Sequence, residues 1–262
     1  MDKKKLTALV LLDLSKAFDS INHHRLLQKL ANIGASPITV KWFKSYLSGR
    51  FQSTRINSTL SDPISITTTL LFCIYLNDLP NVSQNSSLES YVDDSKVLLS
   101  FPLCEIDTAI KNLEEDLHRL AIWCCENYLL INPEKTKYLI IGTRQLMSKL
   151  PANISVNFLG KSLKPAVSAK DLGVTLDSHL TYDNHISQLV SSCMNKLCQI
   201  NRAKNSFDTK TLSEIIKSLV VSKMLYCSTM WSNTSASNVK KVQSIQNFAC
   251  KIVTKSRKYV VN

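Results

Sequence analysis

Two acidic stretches carry residue types suited to metal-assisted phosphoryl chemistry. Asp13 closes the apolar run Leu6-Thr7-Ala8-Leu9-Val10-Leu11-Leu12, and Asp93 and Asp94 follow the run Leu88 to Val92. A carboxylate at the end of a buried strand is costly unless something pairs with it. Two such strand ends that meet in space offer hard oxygen ligands to a pair of divalent ions about 3.5–4 Å apart. In that arrangement one ion activates an attacking hydroxyl and the other holds the phosphates of the leaving group. Each stretch alone has a plainer use, Asp13 as a helix cap and Asp93-Asp94 as a turn. Their combination in one chain is what points to a two-metal site.

The elements that must position these carboxylates are readable from periodicity. Leu6 to Leu12 suits a central strand buried on both faces. Leu88–Val92 and Lys96–Phe101 form a hairpin pattern with Asp93-Asp94 at its turn. Between them, helices are expected over Leu26–Ile33, ended by Gly34, and from a Ser36-Pro37 cap to Gly49, with Val40, Phe43 and Leu47 inward. Strands are expected at Phe51–Asn57 and Ile64–Thr67, then a helix from Leu70 to Leu79 stopped by Pro80. Ile106, Ile110, Leu113, Leu117, Leu120 and Cys124 recur at the spacing of a long amphipathic helix, and Lys137–Ile141 reads as a strand. Beyond Met147, short strands at 154–158, 162–167 and 172–176 precede three helical patterns. The second of these starts with a Thr211/Glu214 capping box, and the third carries Val239, Val242, Ile245, Phe248 and Ile252. The fold class is α+β, with an all-helical final third.

The chain has 262 residues and a net charge of +12, and +9 of this falls from Thr181 onward. Such a balance favours a polyanionic partner, usually nucleic acid, although a plain soluble basic helical bundle has the same composition. With five glycines, glycine-rich phosphate loops are few or absent. The eight cysteines form no Cys-x-x-Cys pair, and His179 and His185 are too isolated to complete a zinc set. Reduced, packing cysteines point to the cytoplasm or nucleus. No signal core and no run as long as a membrane span is visible.

Leu-Asp-Leu-Ser-Lys-Ala-Phe-Asp (Leu12–Asp19) followed by Tyr-Val-Asp-Asp (Tyr91–Asp94) resembles the reverse transcriptases. More narrowly, the pattern is similar to the polymerases of non-LTR, LINE-type, jockey-like retrotransposons. Leu71–Pro80, Leu130–Lys137 and Asp171–Asp177 match further pieces of that family in the right order, so the resemblance covers nearly the whole chain. It implies an RNA-directed DNA polymerase, acting on an RNA template with a DNA primer and dNTPs. Two Mg2+ ions would be the cofactors, with Mn2+ able to substitute. It implies a palm over 1–147 (an antiparallel sheet with packed helices), a strand-rich connection over 148–180 and a basic helical thumb-like region over 181–262.

Carried over by position, Asp13 and Asp93 would hold the metals, with Asp94 as a supporting carboxylate. Phe18 would rest against the incoming sugar, its plainer use being core packing. Lys135 would stand near the pyrophosphate as a general acid, its plainer use being a solvated loop lysine. Tyr91 is expected mainly to pack.

The chain also departs from the family pattern. Where the family has a Gly-x-Pro-Gln-Gly-like stretch, this chain reads Ile66-Thr67-Thr68-Thr69-Leu70, so one wall of the nucleotide pocket would be lost. The basic fingers segment ahead of the first acidic motif, and the endonuclease domain of full-length elements, are not in the sequence. Three readings follow: a working polymerase fragment, a catalytically inactive nucleic-acid-binding remnant, and a decayed fragment.

Overall fold

The structure, a computed structural model, describes residues 4–15, 20–49, 51–62, 64–65 and 69–256. Phe18 and Ile66–Thr68 lie outside the described residues. The chain divides into two compact units, Met1–Ala166 and Val167–Asn262.

In the first unit β1 (Lys5–Leu12) and β2 (Leu14–Ser15) are followed by helices α1 (His23–Asn32) and α2 (Pro37–Leu47). Asn22 caps α1 by accepting from the Arg25 N–H, and Ser36 caps α2 by accepting from that of Thr39. The Phe51–Asn57 region is broken into β3 (Phe51–Gln52) and β4 (Arg55–Ile56). β4 pairs with β5 (Thr59–Leu60), and β3 with β6 (Ile64–Ser65). Helix α3 (Thr69–Tyr75) ends sooner than the sequence suggests. Pro80 does not stop it; it sits in the first turn of a separate 3-10 segment, Leu79–Val82, where a missing N–H costs nothing. Then come β7 (Ser87–Tyr91), β8 (Asp94–Pro102), the long helix α4 (Ile106–Glu126), β9 (Leu130–Ile131), β10 (Lys137–Ile141) and the short α5 (Arg144–Met147).

The main sheet is antiparallel, in the order β10-β1-β8-β7. β1 is therefore central, which is why its apolar run is continuous rather than alternating. Leu6, Val10, Val97, Leu139 and Ile140 are fully buried within it. Helix α4 contributes Leu113, Leu117 and Leu120 to the same core, four and three residues apart on one face.

Two polar devices hold this core. Lys29 Nζ donates to the Tyr75 carbonyl (2.7 Å) and to Asp78 Oδ1 (2.5 Å), and it lies 4.4 Å from the Trp123 ring centroid. Burial lowers its pKa and Asp78 opposes that shift. Lys29→Ala removes charge-assisted hydrogen bonds and a cation–π contact together, an expected loss of about 2 kcal/mol measurable by urea denaturation. The second device is Asp116, a fully buried carboxylate on α4. It accepts from the N–H groups of Gln84 (3.0 Å), Asn85 (2.9 Å) and Ser86 (2.8 Å) and from Ser86 Oγ (2.6 Å), and it pairs with Arg119.

The segment 148–180, expected to be one strand-rich connection, is divided between the units. Hairpin β11 (Val156–Phe158)–β12 (Lys161–Leu163) packs on α4 in the first unit. Hairpin β13 (Ser168–Asp171)–β14 (Val174–Asp177) belongs to the second and packs on α6 (Asp183–Ala203). The loop between β14 and α6 is gathered on Asp177, which accepts from the N–H groups of His179, Thr181 and Tyr182.

Next come α7 (Thr209–Ile216), which continues through a π-helical turn (Lys217–Val221) into α8 (Ser222–Leu225), and then α9 (Ser228–Trp231) and α10 (Ala236–Val253). The N-terminus of α7 is capped by Asp208, whose Oδ1 accepts from the Thr211 N–H, and not by the expected Thr211/Glu214 box. In α10 the inward face is Asn238, Ile245, Ala249 and Ile252, while Val239 is exposed. Asn238 can be buried because Asp183 Oδ1 (2.6 Å), Thr234 Oγ1 (2.9 Å) and Lys241 Nζ (3.2 Å) satisfy its amide. All eight cysteines are unbridged, and burial followed by the neighbouring Cys125 pushes the Cys124 thiol up to about 12. Among the described residues no helix is long and apolar enough to cross a membrane.

A carboxylate edge on the central sheet as candidate active site

The β1–β8 register decides where the acidic residues go. Its last pair is Leu12 with Ser95. Asp13 directly follows Leu12 and Asp94 directly precedes Ser95, so both lie at the end of the sheet where that pairing stops. Asp94 opens β8 and pairs with Tyr91 at the end of β7, so the connecting turn is only Val92-Asp93. Two strands 80 residues apart in sequence thus bring three carboxylate side chains to one end of the sheet. Asp93 is half-buried and Asp94 is exposed.

The turn is tight and strained. Val92 has φ +57°, in the left-handed region that a β-branched residue rarely occupies. Such strain persists only where the surroundings over-determine it, and here Val92 packs against the core while its neighbours are locked in the hairpin. Behind the turn, Ser90 and the buried Ser95 share a hydroxyl–hydroxyl hydrogen bond of 2.9 Å. Tyr91, expected to pack, is instead 66% exposed beside the carboxylates. Its strand is the outermost of the sheet, so its ring has a neighbour strand on one side only.

A third segment reaches this edge. The Asn132 N–H donates to the Asp13 carbonyl (2.8 Å), and β2 pairs with β9 just before it. Asn132 Oδ1 then accepts from the N–H groups of Glu134 (3.0 Å) and Lys135 (3.4 Å), an Asx turn that reverses the chain before β10. That turn delivers Lys135 Nζ to within 3.6 Å of Asp13 Oδ2. Both side chains are well exposed, so the pair adds little stability. Its interest is position, an exposed cation beside Asp13. Lys161 braces the same turn through Glu134 Oε2 (2.6 Å). Asn132 is not among the residues expected at the site, although an Asn ahead of Pro is a turn signal in its own right.

The donor set at the edge is all oxygen, the type that Mg2+ and Mn2+ take. Among the described residues no three acidic, histidine or cysteine side chains close into a metal cage. The chemistry of the donors therefore fits a divalent ion held by one or two carboxylates and completed by substrate phosphates, the usual habit of Mg2+. Phe18, the expected sugar contact, lies outside the described residues.

Comparison with known proteins bears on the same residues. The sequence pattern of the family described as "Reverse transcriptase (RNA-dependent DNA polymerase)" matches residues 1–176. The "Probable RNA-directed DNA polymerase from transposon BS" of Drosophila melanogaster is 28% identical over 99% of this chain and 30% of its own length. The "RNA-directed DNA polymerase from mobile element jockey" of Drosophila funebris is 26% identical over 94% of this chain and 28% of its own. The chain thus spans about 30% of the length of these relatives. Among solved structures, a telomerase of Candida tropicalis in complex with a telomeric RNA fragment aligns with 96% of this chain and 39% of its own, at a TM-score of 0.46 and 10% identity.

Proposed function

The chain belongs to the reverse transcriptase family, and from that premise we propose that its carboxylate edge carries out template-directed nucleotidyl transfer. The reaction is attack of a primer 3′-hydroxyl on the α-phosphate of a dNTP, with pyrophosphate leaving and RNA as template. What supports this reading is the β1–β8 register, whose last pair Leu12–Ser95 leaves Asp13 and Asp94 at the same end of the sheet beside the Val92-Asp93 turn. Asp13, Asp93 and Asp94 are the residues that would hold divalent ions, Mg2+ with Mn2+ as substitute. When bound, such ions supply charge neutralisation on the phosphates and activation of the hydroxyl. Lys135, 3.6 Å from Asp13 Oδ2, would follow the leaving phosphates and give them a proton. On this reading the first unit contributes the palm, and the basic helices beyond Thr181 a thumb-like surface for the phosphates of the duplex. Positioning and charge stabilisation are then the sources of rate.

The absence of a Gly-x-Pro-Gln-Gly-like stretch between Ser65 and Leu71 favours a second reading, a chain that binds template–primer without turnover. Primer extension on an RNA template, first with Mg2+ and then with Mn2+, separates the two. The proposal expects dNTP incorporation that vanishes in Asp93→Ala. Lys135→Gln is expected to slow it by about 100-fold, the size of a lost general acid. Incorporation indifferent to Asp93→Ala would sink the assignment. Duplex binding with no incorporation under either metal would favour the second reading.

A further inference from the structure

The second unit contains a cleft of about 520 Å3 between the C-terminal ends of α6 and α10, and no step of the proposed polymerase chemistry uses it. Three lysines line it, Lys204 from the end of α6, Lys251 from α10 and Lys255 from just beyond. Asn201 and Asn247 add amide groups, and the half-buried Phe248 supplies an aromatic face. No acidic residue lines it among the described residues. Asp208, the acid that senses Lys255, is engaged as the cap of α7. Lys255 is fixed in direction by its hydrogen bond to the Phe207 carbonyl (2.9 Å).

The volume matters. It falls in the range of small-molecule sites, roughly 300–1,000 Å3, and exceeds what a lone phosphate fills. Cations at the rim, amides and one aromatic ring together match a nucleotide: phosphates to the lysines, base to the ring, base edge or sugar hydroxyl to the amides. A duplex keeps its bases stacked inside and cannot offer one to Phe248. We propose that this cleft binds one nucleotide unit of single-stranded nucleic acid, with its flanking phosphates on Lys204 and Lys251 and its base on Phe248. None of its lining residues is one of those at the carboxylate edge, and the inference stands whether or not that edge turns over.

The test is fluorescence anisotropy on the full chain with labelled 12-mer RNA, the same sequence as DNA, and an RNA–DNA hybrid duplex. The variants are Lys204→Gln/Lys251→Gln, Phe248→Leu and, as a charge-matched control on the same two helices, Lys196→Gln/Lys240→Gln. For at least one of the two single strands, the cleft double variant is expected to weaken binding by about tenfold and to reduce the salt slope by about 1.4, two phosphate contacts' worth. Phe248→Leu is expected to weaken the same strand by about fivefold or more and to leave the duplex unchanged. If the control double variant weakens binding as much as the cleft variant, the lysines act only as general charge and the proposal fails. It fails equally if Phe248→Leu, shown folded by circular dichroism, binds single strands as the unaltered chain does, or if it weakens single strand and duplex alike.

Discussion

Asp13→Asn and Asp93→Asn are each expected to lower dNTP incorporation by about 1,000-fold or more, because each removes several kcal/mol of charge stabilisation at the phosphates. The double variant is expected to be little worse than either single one. Asp13 follows β1 and Asp93 lies in the β7–β8 turn; on the proposed reading they serve one site, and residues that act as a unit lose their function together. Lengthening the β7–β8 turn by one glycine after Val92 should be as damaging as removing Asp93. The two-residue turn that carries Asp93 exists only because β7 and β8 pair up to Tyr91 with Asp94. Single-turnover incorporation rates in saturating Mn2+ check this. Effects of the two substitutions that multiply independently would mean that Asp13 and Asp93 do not share a site.

Asp116→Ala is expected to cost about 3 kcal/mol, the largest loss of stability from any single polar change in the first unit. The fully buried carboxylate gathers three N–H groups and a hydroxyl from residues 84–86, thirty positions away in sequence, and it pairs with Arg119. Without it these donors are stranded beneath the segment that leads into β7. For a unit of this size, that loss lowers Tm by roughly 6–12 °C. Asp116→Asn, which keeps one acceptor, should lose less. The pH dependence has a definite sign. Burial alone would raise the Asp116 pKa, but the hydrogen bonds from Ser86, Gln84 and Asn85 outweigh it and hold the group below its ordinary 3.8. A depressed carboxyl stabilises the fold at pH above the unfolded value. That contribution fades as pH falls from about 4 through the lower folded value. The stability advantage of the native chain over Asp116→Asn, followed by urea unfolding and circular dichroism, should therefore shrink as pH falls below about 4. Because β7 carries the Tyr91–Asp94 turn, Asp116→Ala should also slow incorporation without touching any reacting group.

Much of this architecture could be read from residue order because it is local. The run Leu6–Leu12 is continuous because β1 is flanked by β8 and β10, and α4 announces itself by a spacing of three and four over more than five turns. Long, strongly patterned elements suffer little from tertiary context. The short ones do. β3 and β4 are two residues each and were hidden in one apparent strand, and α10 turns its Asn238, not Val239, to the core because Asp183 and Thr234 satisfy that amide. The carboxylate edge was legible in its residue types but not in its register, which is a property of pairing across 80 residues. Lys135 was carried over from a family likeness; the reason it reaches Asp13 is the Asx turn at Asn132, a single side chain with no periodic signal. Asp116 gave no warning either, since a polar residue on an amphipathic helix is ordinarily solvated.

The most direct measurement of the central claim is affinity cleavage by iron. Fe2+ takes up oxygen ligands of the kind that suit Mg2+ and Mn2+, and with ascorbate and peroxide it cuts the backbone nearest its ligands. Applied to the full chain with template–primer and dNTP, it should cut at two places far apart in sequence, around Asp13 and around Asp93-Asp94. Excess Mg2+ should suppress both cuts, and Asp93→Ala should remove both. Cuts at the Asp93-Asp94 turn alone, or cuts at Asp13 that survive Asp93→Ala, would contradict the account, because the two strand ends would then not be holding the same metal.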